Sequence, residues 1–288
     1  MSKAQRTREQ SAQGRIAAAL AEQRRKEQRR RAFAIGGVAV ARLAVVGIIV
    51  GALVSRSTPT TQHRASTAAL PADVQKNLAV PASTLAAVGI GTSSTQALRA
   101  VTGPALNSGG KPEMLYIGAE WCPYCAAERW AMAVALKRFG SFSPLPGIYS
   151  SSADVYPNTA TLTFHGSTYT SNSVVFAPVE NQDVNHNLLE TPTAAQMALW
   201  AKYLPPGDGY PFIDIGNRFI ATTTYNPQVL HGLTWSQIAA DLHNPASPVA
   251  QGADGSANLF TAAICKITGN TPASVCRTAP IPALEGQI

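Results

Sequence analysis

The sequence has few of the residues that build metal sites and phosphate sites. Only four cysteines and five histidines occur among its 288 residues. The histidines are scattered without the spacing of metal ligands, at positions 63, 165, 186, 231 and 243. The chain also has no phosphate-binding glycine loop and no serine-centred nucleophile motif. The sequence therefore predicts no bound metal and gives no sign of a serine hydrolase or a P-loop protein.

Positive charge is scarce outside the N-terminal tail. The net charge is +7, and residues 1–31 hold ten Lys or Arg against three Asp or Glu. From residue 55 onward there are twelve basic and thirteen acidic residues. A nucleic-acid-binding domain needs a basic face. The near-neutral charge of this larger part therefore argues against nucleic-acid binding.

A long apolar run follows the basic tail. Residues 32–54 read AFAIGGVAVARLAVVGIIVGALV, a length that suits a transmembrane helix and exceeds a typical signal-peptide core. The positive charge before the run places the N-terminus in the cytoplasm. We therefore expect a basic cytoplasmic tail (1–31), a single transmembrane helix (32–54) in the cell membrane, and an extracytoplasmic remainder.

The composition changes again after the apolar run. Residues 55–80 are rich in Ser, Thr, Pro and Ala, which predicts a linker before a domain over residues 81–288. Apolar periodicity and capping residues predict a strand over 114–117 and a central helix over 126–139. They also predict helices over 193–203, 234–242 and 256–268. A hairpin is expected over 212–221, turning at Gly216-Asn217.

One Cys-x-x-Cys motif lies between the predicted strand and the predicted central helix, and it reads Cys122-Pro123-Tyr124-Cys125. A helix N-terminus favours the thiolate of the first cysteine, which we expect to be exposed, and places the second one turn on. Zinc sites normally use two such motifs. The pattern therefore favours a redox dithiol, with Cys122 as nucleophile and Cys125 as resolving thiol, over a structural disulfide or half a zinc site.

The order of elements around this motif resembles the thioredoxin superfamily. Three strings are more closely similar to a thioredoxin-like family called domain of unknown function 929: GAEWCPYCAAERWAMAVALKRFGSF (118–142), YPFIDIGNRF (210–219) and ICKITGNTPASVC (264–276). The resemblance covers roughly residues 80–277, which is most of the predicted extracytoplasmic part. It implies an α/β, thioredoxin-like fold with an insertion between the CxxC helix and a cis-proline strand, and it implies no established substrate.

The resemblance also points to residues that would bind the substrate. In the thioredoxin superfamily a cis-proline precedes the strand facing the dithiol, and Tyr210-Pro211 has this form. Trp121 and Tyr124 flank the cysteines and offer an apolar surface for a substrate. The alternative for Pro211 is an ordinary trans peptide at a strand start.

Candidates for proton transfer are less clear. Thioredoxins carry a buried Asp six residues before the first active cysteine, where this chain has Tyr116, which is not a base at neutral pH. Glu120 and Glu128 are the nearby carboxylates. Either could assist the resolving thiol, and we assign neither as a general base.

Cys265 and Cys276 form the second pair of cysteines. They lie on either side of the turn at Gly269-Asn270, so the chain can double back and join them. Outside the cytoplasm an even cysteine count favours a disulfide. We expect a structural disulfide here in preference to an electron relay with the CxxC pair. The spacing does not support a zinc site using all four cysteines.

These observations favour a membrane-anchored, extracytoplasmic thiol–disulfide oxidoreductase acting on protein substrates. It would need no cofactor beyond its dithiol, but it would need an electron partner, for example in the membrane. The alternative is a non-catalytic binding or assembly module that uses Cys122–Cys125 as a structural bridge. Peroxidase-like chemistry is a weaker third interpretation. The direction of electron flow is not readable from the sequence.

Overall fold

The computed structural model describes residues 69–204 and 209–288. The predicted basic tail (1–31) and transmembrane helix (32–54) lie outside these residues, as does most of the predicted linker. In the part of the chain that is described, no helix is both long enough and apolar enough to cross a membrane.

The described residues form a mixed α/β fold around a central sheet. The strands are β1 (Arg99–Ala100), β2 (Asn107–Ser108), β3 (Lys111–Ala119), β4 (Gly140–Ser143), β5 (Gly147–Tyr149), β6 (Ala160–Leu162), β7 (Thr168–Ser171), β8 (Val175–Gln182), β9 (Phe212–Ile215) and β10 (Phe219–Ala221). The helices are α1 (Ala72–Asn77), α2 (Ala82–Val88), α3 (Pro123–Lys137), α4 (Ala194–Tyr203), α5 (Trp235–Asp241), α6 (Gly255–Ile267), α7 (Ala273–Cys276) and α8 (Ile281–Glu285).

β3 is the central strand of the sheet. It pairs in parallel with β8 and antiparallel with β9, and β10 and β1 continue the sheet beyond β9. Met114 and Tyr116 point into the main core, whereas Leu115 and Ile117 point into a smaller cluster on the other face. The run of apolar residues makes β3 central because only such a strand can be buried on both faces. The predicted strand over 114–117 is confirmed.

α3 follows β3 directly and is buried along almost its whole length. Its first turn contains Pro123, which has no N–H group to leave unpaired there. The prediction of a central helix is confirmed, although α3 begins at Pro123 because the CxxC motif forms its first turn. Small side chains let it pack closely against α6. Its fully buried alanines are Ala126, Ala127, Ala131, Ala133 and Ala135.

The remaining predicted helices and the hairpin are also confirmed. Thr193 and Thr234 cap α4 and α5, each in a capping box with a glutamine at the third helical position. α6 covers the predicted helix over 256–268 and follows a π-helical turn at Ala250–Asp254. Gly216 and Asn217 have φ values of 68° and 52°, as a tight two-residue hairpin requires.

The chain between α3 and β8 forms two small antiparallel sheets, β4 with β7 and β5 with β6. The second of these lies against α3. Trp130 Nε1 donates to the Ala160 carbonyl at 3.0 Å, and Thr161 Oγ1 donates to the Ala126 carbonyl at 2.8 Å. Along the chain, this segment together with β8 and α4 lies between the CxxC helix and β9.

The folded region begins before residue 81, so the predicted boundary between linker and domain is corrected. Leu70 N donates to the Leu145 carbonyl at 3.0 Å. Leu70, Val74 and Leu78 are buried, and α1 packs against α5. Val74 lies on α1, and Leu70 and Leu78 flank this helix at a spacing of four residues. The short apolar pattern at these three positions was not recognised in the sequence because Ser, Thr, Pro and Ala dominate residues 55–80.

The predicted disulfide between Cys265 and Cys276 is present and buried, and it joins the end of α6 to α7. Ile267, two residues beyond Cys265, packs on Gly216, where an added Cβ would lie 2.7 Å from the Ile267 side chain. Gly216 is at the opposite end of β9 from the CxxC motif, because Phe212 at the other end pairs with Ile117. A strand of this length spans about 13 Å, so direct exchange between the two cysteine pairs has no geometric support.

Candidate functional site

The sulphur of Cys122 caps the N-terminus of α3. Cys122 Sγ accepts a hydrogen bond from Cys125 N at 3.3 Å and lies 3.8 Å from the carbonyl oxygen of Tyr210. The expectation of an exposed nucleophile is wrong, since Cys122 is only 3% exposed. Trp121 and Tyr210 pack against the cysteines and cover them. The first thiol is therefore close to the surface but shielded by two aromatic side chains.

The two thiols have opposite electrostatic environments. A hydrogen bond from the Cys125 thiol lowers the pKa of Cys122, and backbone N–H groups and the charge of Arg129 act in the same direction while burial opposes them. Burial raises the pKa of Cys125 well above its usual range, and the hydrogen bond to Cys122 adds to this effect. Both cysteines are free thiols. The arrangement favours a thiolate on Cys122 and keeps the proton on Cys125.

Trp121 is held in place by the segment that follows β8. Its Nε1 donates to Gln182 Oε1 at 2.9 Å, and its ring stacks on His186 with the centroids 4.4 Å apart. His186 has a positive φ of 65°, and Asp183 accepts hydrogen bonds from the backbone N–H groups of Asn185 and Asn187. The 183–187 turn therefore supports one of the two side chains that shield Cys122.

Tyr210 is the second side chain that shields the dithiol. Its hydroxyl donates to Asn181 Oδ1, and its ring lies 5.3 Å from Trp200 and 6.0 Å from Trp121, measured between centroids. The peptide bond between Tyr210 and Pro211 is cis, as the family resemblance implied. Pro211 precedes β9, so the backbone before this strand faces Cys122.

Tyr124 lies apart from these two rings. It is one of the few exposed large apolar residues in the described ranges, and its ring is 6.4 Å from Tyr156 in an edge-on arrangement. Tyr156 in turn lies 6.3 Å from His231. The structure thus brings Trp121, Tyr210 and Pro211 to one side of the dithiol and leaves Tyr124 on an open surface.

A buried ion pair beneath the dithiol was missed by the sequence reasoning. Arg129 on α3 and Glu180 on β8 are both fully buried and form two charged hydrogen bonds of 2.8 Å and 2.7 Å. Arg129 Nη2 also donates to the Ala119 carbonyl at 2.7 Å. Arg129 comes one helical turn after Cys125, so a basic residue in the middle of a largely apolar helix was the available signal. Its partner is 51 residues away in sequence and carries no such signal.

The nearby carboxylates and Tyr116 do not form a base at the dithiol. Glu128 accepts a hydrogen bond from Thr224 N at 2.6 Å, and burial raises the pKa of its carboxyl to about 8. Burial also raises the pKa of Glu120. The Tyr116 hydroxyl is buried with no hydrogen-bond partner in the described residues, and burial raises its pKa well above the usual range. Within that part of the chain, none of these groups hydrogen-bonds to a cysteine sulphur.

In the part of the chain that the structure describes, one group of side chains of the types that bind metal ions lies close together. It comprises Cys265, Cys276 and Glu285. The two sulphurs are bonded to each other, so neither is a thiolate that could bind a metal.

Residues 99–206 match the family model described as Domain of unknown function (DUF929). This is the family that the sequence motifs indicated, and the match is shorter than the resemblance expected over residues 80–277. The matched region includes the CxxC motif, Arg129 and Glu180, and it ends before Tyr210-Pro211. No curated protein and no solved structure matches the chain.

Proposed function

We propose that this protein is a thiol–disulfide oxidoreductase with a thioredoxin-like fold, acting on protein substrates through Cys122 and Cys125. Support for the fold comes from the chain order: strand β3, the CxxC helix α3, parallel strand β8, helix α4, and then an X-Pro step into the β9–β10 hairpin. This is the order on which the resemblance to the thioredoxin superfamily rests. The two small sheets after α3 would form part of the expected insertion.

The observation that carries the proposal is the position of the two sulphurs on α3. Cys122 Sγ caps the helix and receives the Cys125 N–H, and Cys125 lies directly beneath it. A helix N-terminus stabilises a thiolate through its free N–H groups and its dipole.

The exchange would proceed in two steps. The Cys122 thiolate attacks one sulphur of a substrate disulfide, so that a Cys122–substrate bond forms, the substrate S–S bond breaks and the leaving thiolate takes up a proton. Cys125 then loses its proton and attacks Cys122 Sγ, which forms the Cys122–Cys125 disulfide and releases the second substrate thiol. Two electrons pass from the protein dithiol to the substrate, and the reverse sequence oxidises a substrate dithiol. A second dithiol–disulfide protein, or an electron carrier in the membrane, would restore the starting form.

The burial of Cys122 favours a second candidate function. A cysteine that is 3% exposed is poorly accessible to a folded client, and a binding or assembly module could keep such a dithiol as a structural bridge. The exchange reaction requires Trp121 or Tyr210 to move aside when a substrate binds. The two candidates therefore differ in whether the dithiol reacts in the folded protein.

The reduction potential of the Cys122–Cys125 pair separates the candidates. We would equilibrate the full chain, in detergent, with glutathione and dithiothreitol buffers and follow each cysteine by mass spectrometry, with Cys122→Ser as control. A potential of about −120 to −180 mV is typical of oxidases and isomerases, and one of about −270 mV is typical of thioredoxin-type reductants. A reduction potential below about −300 mV would identify a structural bridge, and the binding-module interpretation would then replace the enzyme interpretation.

The proposed location rests on the sequence alone. Residues 32–54 have the length and apolar character of a single membrane span, and the charge before them places the N-terminus in the cytoplasm. Labelling a Ser83→Cys variant in intact cells with a membrane-impermeant thiol reagent would test this topology, because Ser83 is exposed whereas the four native cysteines are buried. Labelling of the introduced cysteine in intact cells is the expected result, and labelling only after lysis would contradict it.

A further inference from the structure

The Arg129–Glu180 pair is a buried ion pair beneath the dithiol. Both side chains are completely shielded from solvent. Burying two charges costs several kcal/mol per ion and is offset only when the geometry and the hydrogen bonds are very good. Here Glu180 also accepts the Phe164 backbone N–H at 3.2 Å, and one guanidinium nitrogen, Arg129 Nη1, has no partner among the described residues. The pair is thus held firmly, while part of the positive charge is not used in any hydrogen bond within that part of the chain.

Arg129 is connected to the cysteines through the end of β3. The carbonyl oxygen of Ala119 accepts hydrogen bonds both from Arg129 Nη2 at 2.7 Å and from Cys122 N at 3.2 Å. Arg129 also follows Cys125 by four residues on α3, so the two side chains share one face of the helix. The guanidinium therefore lies beside the buried thiol and fixes the backbone that carries Cys122.

We propose that Arg129 is a positioning residue that sets the reduction potential of the Cys122–Cys125 couple, and that Glu180 limits its effect. This inference rests on the proposed function. The disulfide form carries no charge on its sulphurs, whereas the reduced form carries a thiolate. A buried positive charge stabilises only the reduced form, which makes the couple more oxidising, and a buried negative charge acts in the opposite direction.

The same charges act on the resolving step. Negative charge develops on Cys125 as its proton leaves, in a site where burial disfavours that charge. Arg129 is the cation that offsets this penalty, since it lowers the pKa of both Cys125 and Cys122. The other ionisable groups around Arg129 are Glu180, Glu120 and Tyr116. Of these, Glu180 is the carboxylate that binds the guanidinium directly.

The test compares the two halves of the ion pair. Arg129→Met removes the positive charge and should raise the pKa of Cys122 and lower the reduction potential. Glu180→Gln removes the negative charge and should shift both quantities in the opposite direction. We expect about a tenfold change in the glutathione equilibrium constant for each, equivalent to about 30 mV for a two-electron couple. The thiolate absorbance in the ultraviolet gives the pKa, and mass spectrometry of the full chain gives the equilibrium constant.

Three further variants separate charge from structure. The double variant Arg129→Met with Glu180→Gln should fall between the single variants. Arg129→Lys keeps the charge and should retain most of the wild-type potential even if Arg129→Met does not fold. Arg138→Met is the matched control, because Arg138 is a half-buried arginine at the C-terminal end of α3. Its guanidinium donates hydrogen bonds to Thr278 and to two side chains of α6. It should reduce stability without moving the potential.

The outcomes distinguish the inference from the proposed function. If both single variants shift the potential in the same direction, or if neither shifts it while the wild-type dithiol exchanges normally, the role of Arg129 is purely structural and the inference is overturned. If the wild-type pair shows no thiolate and its reduction potential lies below about −300 mV, the proposed function fails first, and the inference fails with it.

Discussion

The buried carboxyl of Glu128 predicts that the folded protein loses stability as the pH rises toward 8. Glu128 lies on α3, fully buried, and its oxygens are 2.6 Å from Thr224 N and 2.8 Å and 3.0 Å from the Thr224 hydroxyl. Burial raises the pKa of this carboxyl from 4.5 to about 8, against the opposing effect of these hydrogen bonds. The folded state therefore keeps a proton that the unfolded chain releases.

The size of the effect follows from proton linkage. A raised pKa in the folded state adds stability that is fully present below the unfolded pKa and is lost as the pH rises through the folded pKa. A tenfold difference in the acid dissociation constant between the two states corresponds to about 1.4 kcal/mol. Between pH 4.5 and about 8, the loss therefore amounts to roughly 5 kcal/mol. Asp254, whose pKa burial also raises to about 8, acts with the same sign.

The assay is urea denaturation of the wild type and Glu128→Gln at several pH values between about 5 and 8. Glutamine keeps the shape of the side chain and a carbonyl acceptor for Thr224 but cannot ionise. Asp254 is present in both proteins, so the difference between their unfolding free energies isolates Glu128. We expect this difference to move in favour of the variant by about 1.4 kcal/mol per pH unit. A difference that stays constant with pH would refute the view that Glu128 is held protonated.

Three other predictions follow from the site. Cys125→Ser should leave Cys122 able to attack but unable to resolve, so that mixed disulfides with substrate proteins accumulate and can be identified by mass spectrometry. His186→Ala removes the ring stacked on Trp121, an interaction worth about 0.5–1.5 kcal/mol, and should raise the rate of alkylation of the Cys122 thiol roughly twofold to tenfold. Gly118→Ala should be strongly destabilising, because its Cβ would overlap the Tyr116 hydroxyl, and adding Tyr116→Phe should recover part of the loss in thermal denaturation.

Each of these predictions has a result that would contradict it. Failure of Cys125→Ser to retain any substrate would mean that the dithiol does not exchange with proteins. An unchanged alkylation rate in His186→Ala would mean that the 183–187 turn does not govern access to the thiol. Equal stabilities for the single and double variants at Gly118 and Tyr116 would show that the overlap with the hydroxyl is not the source of the strain.

Local sequence signals predicted much of the fold. The Gly216-Asn217 turn, the capping threonines of α4 and α5 and the position of the CxxC helix after an apolar strand could all be read, because each depends on residues that are close together in the chain. The start of the folded region could not, since Leu70 is fixed by a backbone hydrogen bond to Leu145, 75 residues further along the chain, and composition alone does not reveal such a contact.

The candidate site was predicted less completely than the fold. The residue types at the dithiol, Trp121 and the Tyr210-Pro211 step could be recognised from motifs and from the family resemblance. The burial of Cys122 could not, because it depends on how the Trp121 and Tyr210 rings are held by Gln182, His186 and neighbouring side chains. Glu180 was missed for a similar reason, as its role arises only when β8 pairs with β3 and brings it to Arg129.

The alanine-rich packing of α3 has a consequence for how this protein tolerates change. Five positions of the helix are already occupied by fully buried alanines, so at these positions almost any substitution other than glycine enlarges the side chain. Enlarging a side chain in a filled interior typically costs about 1–3 kcal/mol, and glycine weakens a helix by about 1 kcal/mol. Most single substitutions at these positions of α3 should therefore be destabilising. We expect sequence differences between related proteins to be more frequent in the loops that surround this helix.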